Sequence, residues 1–216
     1  MVKDEGKIVY FVRHGQSEDN ALPVFQSKES PLSELGKKQA EKIAHRISRI
    51  SFEKLLASPL VRARETAQVI SGITGKEPEY SELFVERMKP TLLYGKSHED
   101  AEAKKLDEEW RSSLYKTGMR AEDGENFDDL VARADKALDF LANRIEDRLV
   151  VVTHGYFLRT MVARVLLGGA LTPEAFRNFQ RRVLMENTGL SAMKFAQSSN
   201  GKIWRLWIYN DHTHLG

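Results

Sequence analysis

Three apolar, β-rich runs, Ile8–Val12, Leu55–Ala57 and Leu149–Thr153, each give way, after a polar or turn-like interval, to apolar positions at helical spacing. Strand followed by helix, repeated along the chain, predicts an α/β sandwich. Leu149 to Val152 is continuously apolar, so it reads as a strand buried on both faces, as a central parallel strand is. After the first run, Leu35, Ala40, Ile43, Ala44 and Ile47 form a helical stripe for which Ser33 is the N-cap. After the second, Ser58-Pro59 turns strand into helix, with Pro59 at the first helical position and Gly72 or Gly75 near the end. On that helix Arg62 and Thr66 share a face.

Further along, Tyr80 to Val85 reads as a short strand, and Ser97 to Lys116 as a polar helix punctuated by Trp and Leu, covering the core rather than belonging to it. Asp123-Gly124-Glu125-Asn126 breaks the chain, and Asn126 caps a helix with the stripe Leu130, Ala134, Ala137, Leu138 and Leu141. Tyr156 to Leu167 forms a helix ended by Gly168-Gly169. The runs LSAMKFAQ and KIWRLWIYN, joined at Ser199-Asn200-Gly201, predict a hairpin at the sheet edge. There is no internal repeat, low-complexity segment or linker, which leaves residues 88–123 as the one candidate subdomain.

Composition narrows the class. With 216 residues, 41% of them apolar, the chain can bury one sizeable core, and one domain (1–216) with an embellishment is the expectation. Basic and acidic residues nearly balance, at 33 against 31, without a long block of one sign, so nothing calls for nucleic acid. Cysteine is absent, which removes disulfides, thiolate metal sites and thiol nucleophiles. No run approaches the ~18 apolar residues of a membrane span, and the first residues lack the apolar length of a signal peptide. The expectation is a soluble cytoplasmic protein.

Two strand ends share one construction: VRHG at 12–15 and VTHG at 152–155. In an open α/β sheet, ligands bind beyond the carboxyl ends of the strands, so both histidines can face one pocket. Either alone is most simply a structural histidine bonded to a carbonyl; the pair is hard to explain by packing, because a buried imidazole needs a partner.

RHGQSEDN, SPLVRARETA and VVTHG, in that order, together resemble the histidine phosphatase superfamily, in the branch of cofactor-dependent phosphoglycerate mutases and their phosphatase relatives. The resemblance implies a phosphoglycerate mutase-like fold: a three-layer α/β/α sandwich with a mostly parallel central sheet, and a variable, lid-like insertion at about 88–123. It also implies His14 as a nucleophile carrying a phosphohistidine, and Glu86 as general acid and base. Arg13, His14, Ser17, Asn20, Arg62, His154 and Gly155 are implied as phosphate-binding. No metal or cofactor is implied, and the partner is a phosphorylated small molecule.

The chemistry explains those residue types. Arg meets a phosphomonoester dianion with a planar fork of donors. At an effective dielectric of ~20, one charge pair ~4 Å apart is worth about 4 kcal/mol before desolvation. Arg13, Arg62 and a protonated His154 would offset the dianion and take the part Mg²⁺ plays elsewhere. The same cations should hold His14 neutral, while Gly15 lets the backbone turn close to the phosphate.

Glu77, Glu79 and Glu82 compete with Glu86, but read as solvated. Arg64 reads as paired with a surface carboxylate, and Thr66 as a packing residue. His45, His98, His212 and His214 read as surface or terminal residues, and Arg177, Arg181 and Arg182 as a solvated helix face. Where relatives commonly have GES, this chain has Gly124-Glu125-Asn126. Hydrolysis is favoured over the mutase reaction because Glu86-Arg87-Met88-Lys89-Pro90 departs from an ERHYG-like stretch. A protein phosphatase and a phosphate-binding regulatory module without turnover are the remaining alternatives.

Overall fold

A computed structural model describes residues 6–199 and 201–216. Six strands, β1 (Lys7–Arg13), β2 (Lys54–Ala57), β3 (Pro78–Tyr80), β4 (Arg148–Thr153), β5 (Leu190–Ser198) and β6 (Gly201–Asp211), form one sheet in the order β3-β2-β4-β1-β5-β6. The first four named are parallel; β5 runs antiparallel to β1, and β6 to β5. The C-terminal hairpin therefore extends one edge of a parallel sheet, as its alternating pattern predicts. Asn200 of its turn lies outside the described residues.

Period-two alternation sorts the strand residues into two cores. Tyr10, Val12, Leu55, Ala57, Val150 and Val152 pack against Ile43, Ala44 and Ile47 of α1 (Glu34–Ile47) and Ala63, Ala67 and Ile70 of α2 (Val61–Thr74). Val9, Phe11, Leu56, Leu149 and Val151 pack on the other face against α4 (Phe127–Ala142) and α5 (Gly155–Leu167), with Phe176 of α6 (Pro173–Arg182). This is the three-layer α/β/α sandwich, and β4 is buried on both faces.

α3 (Ala101–Ser112) stands apart, with a small core of its own made by Phe25, Leu93, Ala103, Trp110 and Ala121. Among the described residues, no helix is long and apolar enough to cross a membrane.

Local chemistry moved several boundaries. Tyr80 to Val85 is not one strand: Ser81 takes the Leu83 amide and tightens the chain into a 3₁₀ turn at Glu82–Phe84, which sinks Phe84 into the core. The helix expected from Ser97 begins at Ala101, because Asp100 accepts the Glu102 and Ala103 amides. α2 begins at Val61 rather than Pro59, since Ser58 Oγ takes the Leu60 amide and holds one more residue extended. Ser33, Asn126 and Gly75 end their helices as their types predict, Gly75 with a left-handed φ of 69°.

Leu35 is 51% exposed, and Gly36 takes the buried position instead. The reason is a close approach: a Cβ at Gly36 would lie 1.9 Å from the Gln16 carbonyl oxygen, and one at Gly15 would lie 2.5 Å from the Gly36 oxygen. Gly15 is thus required by the contact between its loop and α1, a different demand from the approach to a phosphate.

Candidate active site

β1 and β4 are parallel neighbours with Arg13 opposite Thr153, so the residues after them meet: the His14 and His154 ring centroids are 4.9 Å apart. From these two ends the chain departs to opposite faces, toward α1 from β1 and into α5 from β4, which opens a crevice at a topological switch point.

The His14 ring is oriented by two contacts. Its Nδ1 lies 2.6 Å from the Gly15 carbonyl oxygen, which can only accept, so Nδ1 carries the proton. Arg62 Nε donates to Nε2 at 3.3 Å, so Nε2 presents its lone pair. The loop beneath is pinned: the Gly15 amide donates to Thr66 Oγ1 at 3.1 Å, and Thr66 donates to the Arg62 carbonyl at 2.8 Å. Asn187 Nδ2 donates to the His14 carbonyl at 3.0 Å, and the Thr188 amide to that of Arg13 at 3.0 Å. Thr188 is held at φ 58°, an uncommon state for a β-branched residue, and its hydroxyl lies 3.0 Å from His214 Nε2. The C-terminal histidine His214 therefore reaches the turn that supports His14.

The surrounding charge is positive. Arg62 is 3% exposed, and burial lowers its pKa to about 10. The Arg13 Nη1 group donates to the Met185 carbonyl, its Nε has no partner among the described residues, and burial lowers its pKa too. A Cβ on Gly155 would lie 3.0 Å from that Nε, so glycine there lets the guanidinium lie against the strand end without being pushed aside by a few tenths of an ångström. His154 Nε2 lies 2.8 Å from Ser58 Oγ, while its buried Nδ1 is unpartnered among the described residues. Lys89, half-buried, donates to the Gln26 carbonyl at 2.9 Å; burial, then repulsion from Arg62, lowers its pKa to about 8. Among the described residues neither arginine nor Lys89 has a carboxylate ion-pair partner. Such a cluster is costly unless an anion offsets it.

Glu86 is the acidic member. Its Oε1 accepts the Arg87 and Phe157 amides at 2.9 Å each, and its Oε2 the Tyr156 amide at 3.2 Å, so the carboxylate closes the N-terminus of α5. The chain around it is clamped by Arg133, which pairs with Glu125 at 2.7 Å and donates to the carbonyls of Leu83, Val85 and Glu86. Glu125 in turn accepts the Met88 amide. Of its competitors, Glu79 is bound to Arg144 and Lys54 and Glu77 is exposed, while Glu82, also exposed, lines the smaller cavity that contains Arg62 and Glu86.

Of the phosphate-binding candidates, Arg13, His14, Arg62, His154 and Gly155 converge. Ser17 is fully buried and donates to Asn20 Oδ1 at 2.9 Å, so it braces the loop rather than presenting a free hydroxyl. Asn20 is exposed on the wall of a cavity of about 700 Å³ that also reaches Glu86. Arg177, Arg181 and Arg182 are exposed, as expected of a solvated helix face, and the first two also border the same cavity. Arg64 stacks over Tyr80 at 5.4 Å and has no carboxylate ion-pair partner among the described residues. The parts played by Ser58, Lys89, Arg133, Asn187 and Thr188 escaped the sequence reading, and Thr66, read as a packing residue, braces the Gly15 amide. Ser58 had a signal, since it is the first residue after a third parallel strand.

The histidines are not cations here. Burial first, then Arg62, holds both His14 and His154 well below the usual imidazole value. Burial, and then Arg62, thus work against the protonated His154 expected from the sequence, a cost that a bound phosphate dianion would offset. Unfolded, both bind a proton as pH falls through about 6.5; folded, they resist it. The stability they supply is complete above that value and lost as pH falls below it, at up to about 1.4 kcal/mol per pH unit for each. Urea midpoints measured between about pH 5 and pH 8 should fall on the acid side, and His154→Gln should flatten the slope. A flat wild-type profile would contradict the buried neutral pair.

The family model of the histidine phosphatase superfamily (branch 1) matches residues 9–208. A Photorhabdus laumondii protein named "Probable phosphoglycerate mutase GpmB" is 31% identical over 218 residues, covering 96% of this chain and 94% of that one. Two solved structures share the fold. The alpha-ribazole phosphatase of Shigella flexneri has a TM-score of 0.78 at 20% identity, covering 94% of this chain and 96% of that one. A mycobacterial glucosyl-3-phosphoglycerate phosphatase has a TM-score of 0.74 at 24% identity, covering 95% and 99%. With its strand ends carrying the paired histidines and its length matched almost throughout, the chain belongs to branch 1 of the histidine phosphatase superfamily.

Proposed function

We propose that the protein hydrolyses a small phosphomonoester through a phosphohistidine on Nε2 of His14. One observation carries the reading: an imidazole whose lone pair faces a buried cluster of cations lacking carboxylate partners. The dianion lies among Arg13, Arg62 and Lys89, where its charge replaces the missing counterions. Nε2 attacks phosphorus as the bond to the leaving oxygen breaks, and Glu86, which takes up a proton from solvent as the dianion binds, gives that oxygen its proton. Water then attacks the phosphohistidine, its proton passes to Glu86, and the P–N bonding pair returns to Nε2. His154 and Ser58 complete the oxygen-binding wall.

The mutase reaction is the second reading, favoured by the name of the Photorhabdus relative. It uses the same groups but must keep water from the phosphoenzyme. Hydrolysis is supported by the cavity of about 700 Å³ beside Glu86, which gives water a route to the carboxylate. The discriminating assay supplies 3-phosphoglycerate with a trace of 2,3-bisphosphoglycerate. Inorganic phosphate should accumulate; rapid appearance of 2-phosphoglycerate would overturn the hydrolase reading.

A further inference from the structure

The last residues of the chain are turned onto α1 by their own side chains. Asp211 Oδ1 accepts the Thr213 amide at 3.1 Å and the Thr213 hydroxyl at 2.9 Å, a local turn that an aspartate makes, and it swings the chain away from β6. On α1, Arg46 pairs with Asp211 and donates to Thr213 Oγ1 at 3.1 Å, while Lys42, one helical turn earlier, donates to the Leu215 carbonyl at 3.0 Å. Thr213–Leu215 closes as a 3₁₀ turn, so the C-terminus forms a strap across the helix.

His214 reaches from this strap to the catalytic strand end. Arg46 Nη1 lies 3.4 Å from His214 Nδ1, and a guanidinium can only donate, so Nδ1 accepts and the ring proton sits on Nε2. Nε2 then donates to Thr188 Oγ1 at 3.0 Å, and Thr188 donates its own hydroxyl to the Asn187 carbonyl at 2.7 Å. Burial, then Arg46, lowers the His214 pKa to about 4, which keeps the ring neutral as this chain of bonds requires.

Thr188 is a residue that needs holding. It is fully buried at φ 58°, where a β-branched side chain is strained. That same conformation aims its amide at the Arg13 carbonyl, 3.0 Å away, and at the His14 carbonyl, 3.3 Å away, beside the bond from Asn187 Nδ2. The other end of the turn is fixed as well: Asn210 Oδ1 accepts the Glu186 amide at 2.8 Å, and the Gly189 amide donates to the Glu186 carbonyl at 3.0 Å.

We propose that His214 is a positioning residue for the nucleophile: its bond to Thr188 holds the strained turn that fixes the main chain of Arg13 and His14, so attack by Nε2 of His14 depends on the C-terminal strap. The inference rests on the phosphohistidine reading and adds to it a residue that never touches substrate.

The test is a double-mutant cycle on p-nitrophenyl phosphate, with phosphoenzyme formation followed in the first turnover. His214→Ala should slow that step about tenfold or more, the scale on which a small displacement of a reacting group acts. Inorganic phosphate should still bind, because Arg13 and Arg62 keep their side-chain bonds to the Met185 and Ser27 carbonyls. His214→Gln, whose amide can donate to Thr188, should recover most of the rate. Glycine adopts a positive φ without strain, so in a Thr188→Gly background His214→Ala should cost less than about twofold. Hydrogen exchange at the Thr188 amide needs no turnover: its protection should fall in His214→Ala and be kept in His214→Gln. A wild type that forms no phosphoenzyme, with protection still lost in the alanine variant, would sink the hydrolase reading and keep the hold of the strap on the turn. An alanine variant of wild-type rate, a loss confined to KM, or an equal loss in the threonine and glycine backgrounds would overturn the inference even if the enzyme hydrolyses every ester.

Discussion

His14→Ala is expected to lower kcat on p-nitrophenyl phosphate by roughly 10⁴-fold or more, the scale seen when an enzyme loses its nucleophile. The arrangement around the ring is why the loss should be so large. Arg62 Nε and the Gly15 carbonyl fix both the tautomer and the orientation of the imidazole, and burial holds it neutral, so the lone pair is available without prior deprotonation. Alanine leaves the cationic wall intact, so phosphate should still bind, and added imidazole should restore part of the rate through the space created. With wild type, a labelled phosphoenzyme should form that survives base and is lost in acid, as a P–N bond requires. An active wild type with no trapped label, or an alanine variant of equal rate, would reassign the reaction to direct attack by water.

How much of this was legible depends on what determines each feature. β1 and β4 could be read because a strand buried on both faces must be apolar throughout, and the His-Gly pairs stood out against those runs. The shared position of the two histidines needed only parallel pairing. By contrast, the strand expected through Val85 failed because one Ser81 side chain bond outweighs propensity over a short segment. Thr66, Arg133 and Thr188 act through main-chain groups far away in sequence, at Gly15, at Leu83 to Glu86, and at Arg13, and no local pattern encodes such partners. Gly15 was assigned to the phosphate because its constraint comes from α1, visible only once helix and loop are packed. The charge of His154 depends on a related feature: sequence shows the arginines but not the depth of burial, which works against the protonated form.

Glu86→Gln should separate the acid–base role of this residue from its structural one. The carboxylate accepts three main-chain amides at the start of α5, so alanine would remove a helix cap as well as a proton donor, at a cost near 1 kcal/mol or more. Glutamine keeps one oxygen for the Phe157 and Arg87 amides and gives up only the longer bond from Tyr156. Its amide cannot donate or take the catalytic proton. For alkyl phosphates, whose leaving oxygen needs that proton, kcat should fall about 10²- to 10³-fold. p-Nitrophenolate leaves without help, so its release should stay fast in the first turnover, while attack of water on the phosphohistidine lacks its base and becomes limiting. The signature is a burst of nitrophenolate close to one equivalent per site, followed by slow turnover. Equal losses for alkyl and aryl esters with no burst would mean that Glu86 acts only by holding α5 against the site, and the proton would then have to come from elsewhere.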